Sequence, residues 1–139
     1  MGVFYIECEA VNLRQPGRAR TVPQVLVDTG SEYTWIPEST LKLVRIKVVK
    51  KDLVFQMANG QTITRSVGYA LVRAAGFETV DEVVFGQPGD LALLGARTLE
   101  GFGATVDARK KRLVAAGPHP AASQRLTPFG VLQGVPPTN

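Results

Sequence analysis

Most catalytic and metal-binding motifs need residues that this chain has little of. Among its 139 residues there is one cysteine, Cys8, and one histidine, His119. A single thiol excludes an intramolecular disulfide and fits a reducing compartment. Cys8 sits in an apolar N-terminal stretch and reads as a small buried residue, with a reactive thiol as the minor alternative. His119 stands among prolines with no Cys or His at ligand spacing, which argues against zinc, and with no Ser or Cys motif to activate. No apolar run is long enough to span a bilayer. Met1 to Glu7 lacks the basic start and apolar segment of a signal peptide, and Ile6 stands where a myristoylation signal wants Ser or Thr. The expectation is a cytoplasmic protein with no membrane partner. Gly101-Phe102-Gly103 lacks the third glycine and the preceding strand of a dinucleotide site. Aromatic residues make up 7% of the chain and are not interleaved with its two basic clusters, Lys42 to Lys51 and Arg109 to Arg112. A net charge of +4 therefore reads as solvated loops and a basic hairpin turn, with no nucleic-acid partner. A basic nucleic-acid binder, the weakest alternative, would show steeply salt-dependent binding.

What is present points to strands. Glycine (14) and proline (9) are plentiful, β-branched residues recur in short runs, and no internal repeat is visible, so the expected fold is a single all-β domain. Val3 to Val11 and Thr21 to Val27 read as strands joined by a polar loop with Pro16-Gly17. Tyr33 to Ile36 is extended, and Pro37 can open a short helix through Leu43. Lys42 to Lys51 reads as an exposed strand or connection. Asp52 to Met57 and Gln61 to Val67 flank Asn59-Gly60, a strong hairpin signal because both positions tolerate positive φ. Gly68 to Arg73 and Thr79 to Phe85 form a further pair turning near Gly76. Leu91 to Leu94 is apolar, Ala96 to Glu100 has helical composition, and Ala104 to Asp107 with Arg112 to Ala115 makes a closing hairpin. Residues 1–116 form the expected domain and 117–139 a Pro-rich, flexible tail.

The chemistry lies at the end of the second strand. Val25-Leu26-Val27 delivers Asp28-Thr29-Gly30-Ser31, which occurs once. Alone, such an aspartate is an ordinary turn residue. Trp35-Ile36-Pro37 follows at short range, Ala58-Asn59-Gly60-Gln61 forms a hairpin tip, and Leu93-Leu94-Gly95 comes much later. Together, in this order, they resemble the retropepsin-like (retroviral-type, clan AA) aspartic proteases. Arg65 to Ala70, Val83 or Val84 through Gly86, Leu93 to Ala96 and Leu99-Glu100 add a likeness to the small single-domain prokaryotic branch. The resemblance spans roughly Val3 to Val114.

That resemblance implies a closed or nearly closed barrel with one helix after Gly95 and another after Pro37. It also implies a two-fold homodimer that acts on peptide or protein substrates and needs no metal or cofactor. Asp28 is then the catalytic acid, paired with its copy, and the two share one proton because adjacent like charges do not both ionise. Gly30 lets the two loops approach, Thr29 points its hydroxyl into the interface, and Ser31 donates to the outer oxygen of Asp28. A bond to the charged form lowers a carboxylate's pKa, so Ser31 implies a more acidic activity optimum than alanine would give. Ala58, Asn59, Gly60 and Gln61 become the tip of a flap over an extended peptide, against an ordinary hairpin turn. Trp35 packs or hydrogen-bonds under that flap, or is a plain core aromatic. Leu93, Leu94 and Gly95 pack behind the Asp28 loop.

Two departures stand out. Ala96 follows Gly95 where viral enzymes carry a dimer-anchoring arginine, and the flap tip is less glycine-rich. They keep a rival in view: a catalytically silent fold of this type, used for dimerisation or peptide binding.

Overall fold

A computed structural model of the chain describes residues 3–121, 125–126 and 132–133. The chain runs β1 (Tyr5–Val11), β2 (Ala19–Val27), β3 (Thr34–Pro37), α1 (Glu38–Leu43), β4 (Lys50–Gln56), β5 (Thr62–Ala74), β6 (Phe77–Gly86), β7 (Leu93–Leu94), α2 (Ala96–Phe102), β8 (Ala104–Asp107) and β9 (Arg112–Ala115). The all-β expectation holds, and both short helices fall where they were expected. Of the proposed tail, residues 122–124, 127–131 and 134–139 lie outside the described residues. Within it β10 (Arg125–Leu126) pairs antiparallel with β11 (Leu132–Gln133).

The main sheet closes on itself. Its order is β1-β2-β7-β3-β6-β5-β4, and β1 also pairs with β5. Six strands thus form a ring, and β4 hangs from β5 as an edge strand. Two of the ring's pairings, β2 with β7 and β3 with β6, are parallel. Parallel neighbours need long crossovers, and here each strand's partner comes from a distant part of the chain.

Alternating residues point into the ring. Val25, Ile36, Val72, Val83, Phe85 and Leu94 are fully buried in one cluster, with Leu41 of α1 closing an end. Cys8 is buried there too, and desolvation first, then the nearby Glu7 charge, push its thiol up to about 12. That leaves it a packing residue and removes the reactive-thiol alternative. A second, smaller cluster of Trp35, Val67 and Val84 lies under the β4–β5 hairpin. Among the described residues no helix is long and apolar enough to cross a membrane.

Two expectations are corrected. Gln61 to Val67 and Gly68 to Arg73 are one strand, the 13-residue β5. Glycine commonly interrupts a strand, but here Gly68 pairs with Val83, and its missing Cβ admits the neighbouring segment. A Cβ at Gly68 would meet Lys47 O at 2.4 Å and the Ile46 side chain at 3.0 Å. That same segment is not simply exposed: Val44 and Ile46 are buried, and the basic residues around them face outward.

Gly68→Ala is therefore expected to cost about 3 kcal/mol, because backbone must move to make room. Gly17→Ala, where nothing lies within 4 Å, is expected to stay near neutral. Chemical denaturation of both variants checks this, and similar midpoints for the two would contradict it.

Candidate active site

β2 carries the Asp28 loop to its position, and the segment around β7 holds it there. Leu26 and Val27 run parallel to Leu93 and Leu94. Leu26 N donates to Ala92 O (2.9 Å), and Asp28 N donates to Leu94 O (3.0 Å). The chain then turns, with Ser31 N donating to Asp28 O at 3.1 Å. On the far side of the turn, Ala96 N donates to Ser31 O (2.7 Å) and Arg97 N to Glu32 O (3.1 Å). The loop is thus tied at both ends to residues 94–97. Gly95 makes this possible, because a Cβ there would lie 2.4 Å from Tyr33 O and 2.9 Å from Glu32 O.

A buried hydrogen-bond chain backs the contact. Gly95 N donates to Thr34 Oγ1 (2.9 Å), the Thr34 and Thr98 hydroxyls lie 2.6 Å apart, and Thr98 Oγ1 donates to Asp81 Oδ2 (2.9 Å). A hydroxyl has one proton to give. Thr98 gives its proton to Asp81, so Thr34 must donate to Thr98. The chain therefore runs in one direction, from backbone amide through two fully buried threonines to a carboxylate. Thr34, Thr98 and Asp81 were not picked out from the sequence, although a threonine between Tyr33 and the apolar Trp35-Ile36 was the available signal.

The half-buried Asp28 carboxylate accepts from Gly30 N at 3.0 Å through Oδ1. A Cβ on Gly30 would come within 3.3 Å of that oxygen. Thr29 and Gly30 are exposed on the loop. Ser31 differs from expectation: its hydroxyl donates to Tyr33 O at 3.0 Å. That single proton is committed within the loop, so the acidic optimum expected from a Ser31–Asp28 bond loses its basis in this chain.

Asp28, Gly30 and Ser31 border a cleft of about 1120 Å³. The β4–β5 hairpin forms one wall from Leu53 to Ala58, and residues 89–91 with Leu93 form the other. Ala58 of the hairpin tip reaches the cleft, whereas Asn59, Gly60 and Gln61 shape the turn. Only Gly60 takes positive φ (+88°). Gly60 N donates to Met57 O (2.9 Å) and Met57 N to Gln61 O (2.7 Å). This is a three-residue loop, Ala58-Asn59-Gly60, with glycine in the left-handed position, between the two strand runs expected to end at Met57 and begin at Gln61. Asn59 acts through its side chain, accepting from Gln61 N at 2.9 Å. Trp35 packs under the hairpin, its ring 5.0 Å from that of Phe55, and Tyr33 meets Phe55 edge-on at 5.3 Å. Trp35 is also buried, so the flap and core readings describe the same contact.

Two ion-pair groups fasten the hairpin to the barrel. Arg65 donates from Nε to Asp90 Oδ2 (2.7 Å) and from Nη2 to Asp90 Oδ1 (2.9 Å), and Gln87 N donates to Asp90 Oδ2 (2.7 Å). The Arg65 contact, helped by the Gln87 amide, holds the Asp90 carboxyl below its ordinary value against the opposing effect of burial. Deeper in, Glu82 accepts from Arg97 Nη2 at 3.0 Å. Lys50 Nζ lies 2.7 Å from Glu82 Oε2, an ion pair outside hydrogen-bond angles. Lys50 first, then Arg97, hold Glu82 low despite its burial. Arg97 also lies 4.7 Å over the Tyr33 ring. Arg97 thus packs within its own chain, one position beyond Ala96, where the viral anchor would stand.

Two outcomes are expected. Thr98→Val leaves Asp81 and Thr34 short of partners and should cost about 1–3 kcal/mol in denaturation experiments; an unchanged midpoint would contradict the directional chain. Asp90→Asn should cost about 1–3 kcal/mol at neutral pH. Because folding depresses the Asp90 pKa, its stabilisation is present above the ordinary value of 3.8 and fades as the pH falls through the lower folded value. The gap between wild type and Asp90→Asn should therefore shrink in acid. A gap independent of pH would contradict the ion-pair account.

No curated protein matches the chain. Among solved structures, the protease of Simian Foamy Virus (mac), determined in solution, is similar with a TM-score of 0.47 and 20% sequence identity, over 69% of this chain and 91% of that one. A family model described as aspartyl protease matches residues 13–98. The matched stretch contains the Asp28 loop, the covering hairpin and the Leu93–Gly95 segment that fixes the loop, and the chain belongs to the aspartyl protease family.

Proposed function

We propose that two copies of this chain associate about a two-fold axis that brings their Asp28 loops together, and that the dimer hydrolyses peptide bonds in extended polypeptide segments. The observation that carries this reading is the single, cleft-bordering Asp28 on a loop whose neighbours Thr29 and Gly30 are exposed. Aspartic proteolysis needs two carboxylates, and the Asp28 motif occurs once in the sequence. An isologous dimer supplies the second, and each chain meets the same surface of its copy.

In such a pair one carboxylate is ionised and the other protonated, since two adjacent charges repel. The ionised group takes a proton from water, and the resulting nucleophile attacks the peptide carbonyl carbon. The protonated group donates to the carbonyl oxygen. Proton transfer to the amide nitrogen then lets the C–N bond break. The roles belong to the pair rather than to either copy. The Gly30 amide bond to Oδ1 keeps the carboxylate in one orientation throughout.

An extended peptide suits the remaining features. β4 pairs only with β5 among the described strands, so its other edge is open to a backbone partner. Ala58, Asn59, Gly60 and Gln61 would close over the peptide as the hairpin tip, and Tyr33, Trp35 and Phe55 offer an apolar surface below it. Leu93, Leu94 and Gly95 would hold the loop against displacement as the hairpin moves.

Cleavage of a denatured protein by wild type and Asp28→Asn is the test. A loss of about a hundred- to ten-thousand-fold in the variant is expected, together with specific activity that rises with protein concentration as dimer forms. Equal and negligible cleavage by both would contradict the protease reading and leave a peptide-binding module.

A further inference from the structure

The charges that line the cleft are all of one sign. Among the described residues that border it, Asp28, Glu32 and Asp90 are acidic and none is lysine or arginine. These three carboxylates do not have equal freedom. Asp90 is held by the two-pronged Arg65 contact. Asp28 is the group assigned to the reaction. Glu32 is exposed and forms no ion pair with any described residue.

The backbone that carries Glu32 is nevertheless held in place. Its carbonyl accepts from Arg97 N, the preceding carbonyl accepts from Ala96 N, and the following Tyr33 carbonyl accepts from Ser31 Oγ. Arg97, whose backbone amide meets the Glu32 carbonyl, has its guanidinium engaged by Glu82 and by the face of the Tyr33 ring. Lys50 likewise serves Glu82. The site is therefore a carboxylate without an ionic partner, carried on a fixed stretch of backbone beside the aromatic strip of Tyr33, Trp35 and Phe55. A peptide that fills the cleft removes water from that carboxylate. The loss is unfavourable unless the peptide returns a donor, and a cation returns most.

We infer that Glu32 selects substrates carrying a lysine or arginine side chain a few residues from the bond that is cut. This rests on the protease reading above and deepens it by naming a substrate class: basic residues flanking an apolar centre. Two-fold symmetry would repeat Glu32 on the other side of the Asp28 pair, so the selection would extend to both sides of the bond. A backbone N–H of the peptide is the competing donor. It would satisfy Glu32 equally well whatever the side chain, and so makes a distinct prediction.

The test has two arms. In the first, wild type cleaves a randomised peptide library and the products are sequenced by mass spectrometry. Lysine and arginine should be enriched about five- to tenfold at a position flanking the cut. Glu32→Gln should abolish that enrichment, Glu32→Asp should keep most of it, and Glu32→Lys should replace it with enrichment of acidic residues. The wild-type preference should also weaken as salt is raised. In the second arm, the Asp28→Asn protein, with and without Glu32→Gln, is titrated with two fluorescent peptides that differ only by lysine or norleucine beside an apolar centre. The lysine peptide should bind about five- to tenfold more tightly, and only when Glu32 is present. Cleavage or binding that ignores the lysine, or a lysine preference that survives Glu32→Gln, overturns the inference. Absent cleavage with an intact Glu32-dependent lysine preference in binding would instead overturn the protease reading and keep Glu32 as a selector of basic peptides.

Discussion

One backbone crossing organises this molecule: residues 28–33 lie against residues 94–97 at a distance that only a glycine at position 95 allows. Three backbone hydrogen bonds, from Asp28, Ala96 and Arg97, stitch the two segments together. The Gly95 amide starts the threonine chain that ends on Asp81. Each of these bonds is modest in net terms, but breaking one strands a buried polar group, which is costly. The loop that presents Asp28 is therefore fixed by its surroundings more than by its own sequence. A short loop of Thr, Gly and Ser would otherwise sample many conformations.

The same crossing joins the interior to the cleft. On one side it is continuous with the buried cluster around Val25, Ile36, Phe85 and Leu94. On the other, Tyr33 and Leu93 face the hairpin through Trp35 and Phe55. The hairpin, the part that would have to move for a peptide to enter, is fastened at its base by charge. Arg65 reaches Asp90 on the opposite cleft wall, and Lys50 meets Glu82, which also holds Arg97. These contacts sit at the base of the hairpin and leave its tip, from Ala58 to Gln61, exposed. A firm base with a free tip is a workable arrangement for a cover over an extended ligand.

Much of this was legible in the sequence, and the residues show why the rest was not. Strand and helix positions followed from apolar alternation, Pro37 and the glycines, because those signals are local. The Asp28 loop stood out because Val25-Leu26-Val27 and Leu93-Leu94-Gly95 made sense together. The errors came where a local rule was overridden at a distance. Gly68 looked like a strand break, yet it marks where the 46–47 segment crosses β5. Both positions of Asn59-Gly60 tolerate positive φ, but only Gly60 adopts it, and Asn59 spends its side chain on Gln61. Ser31 had a plausible partner in Asp28 and took the carbonyl of Tyr33 instead. The Thr34–Thr98–Asp81 chain and the Arg65–Asp90 pair link positions far apart along the chain, with no local pattern to announce them.

The central claim is that one active centre needs the Asp28 of both copies. Mixing wild-type and Asp28→Asn chains in varying proportion, after exchange of subunits, tests it most directly. If a mixed dimer is inert, activity at constant total protein falls with the square of the wild-type fraction, to roughly a quarter at equal mixing. A linear fall, to roughly half, would mean that each chain works by itself and would contradict the account.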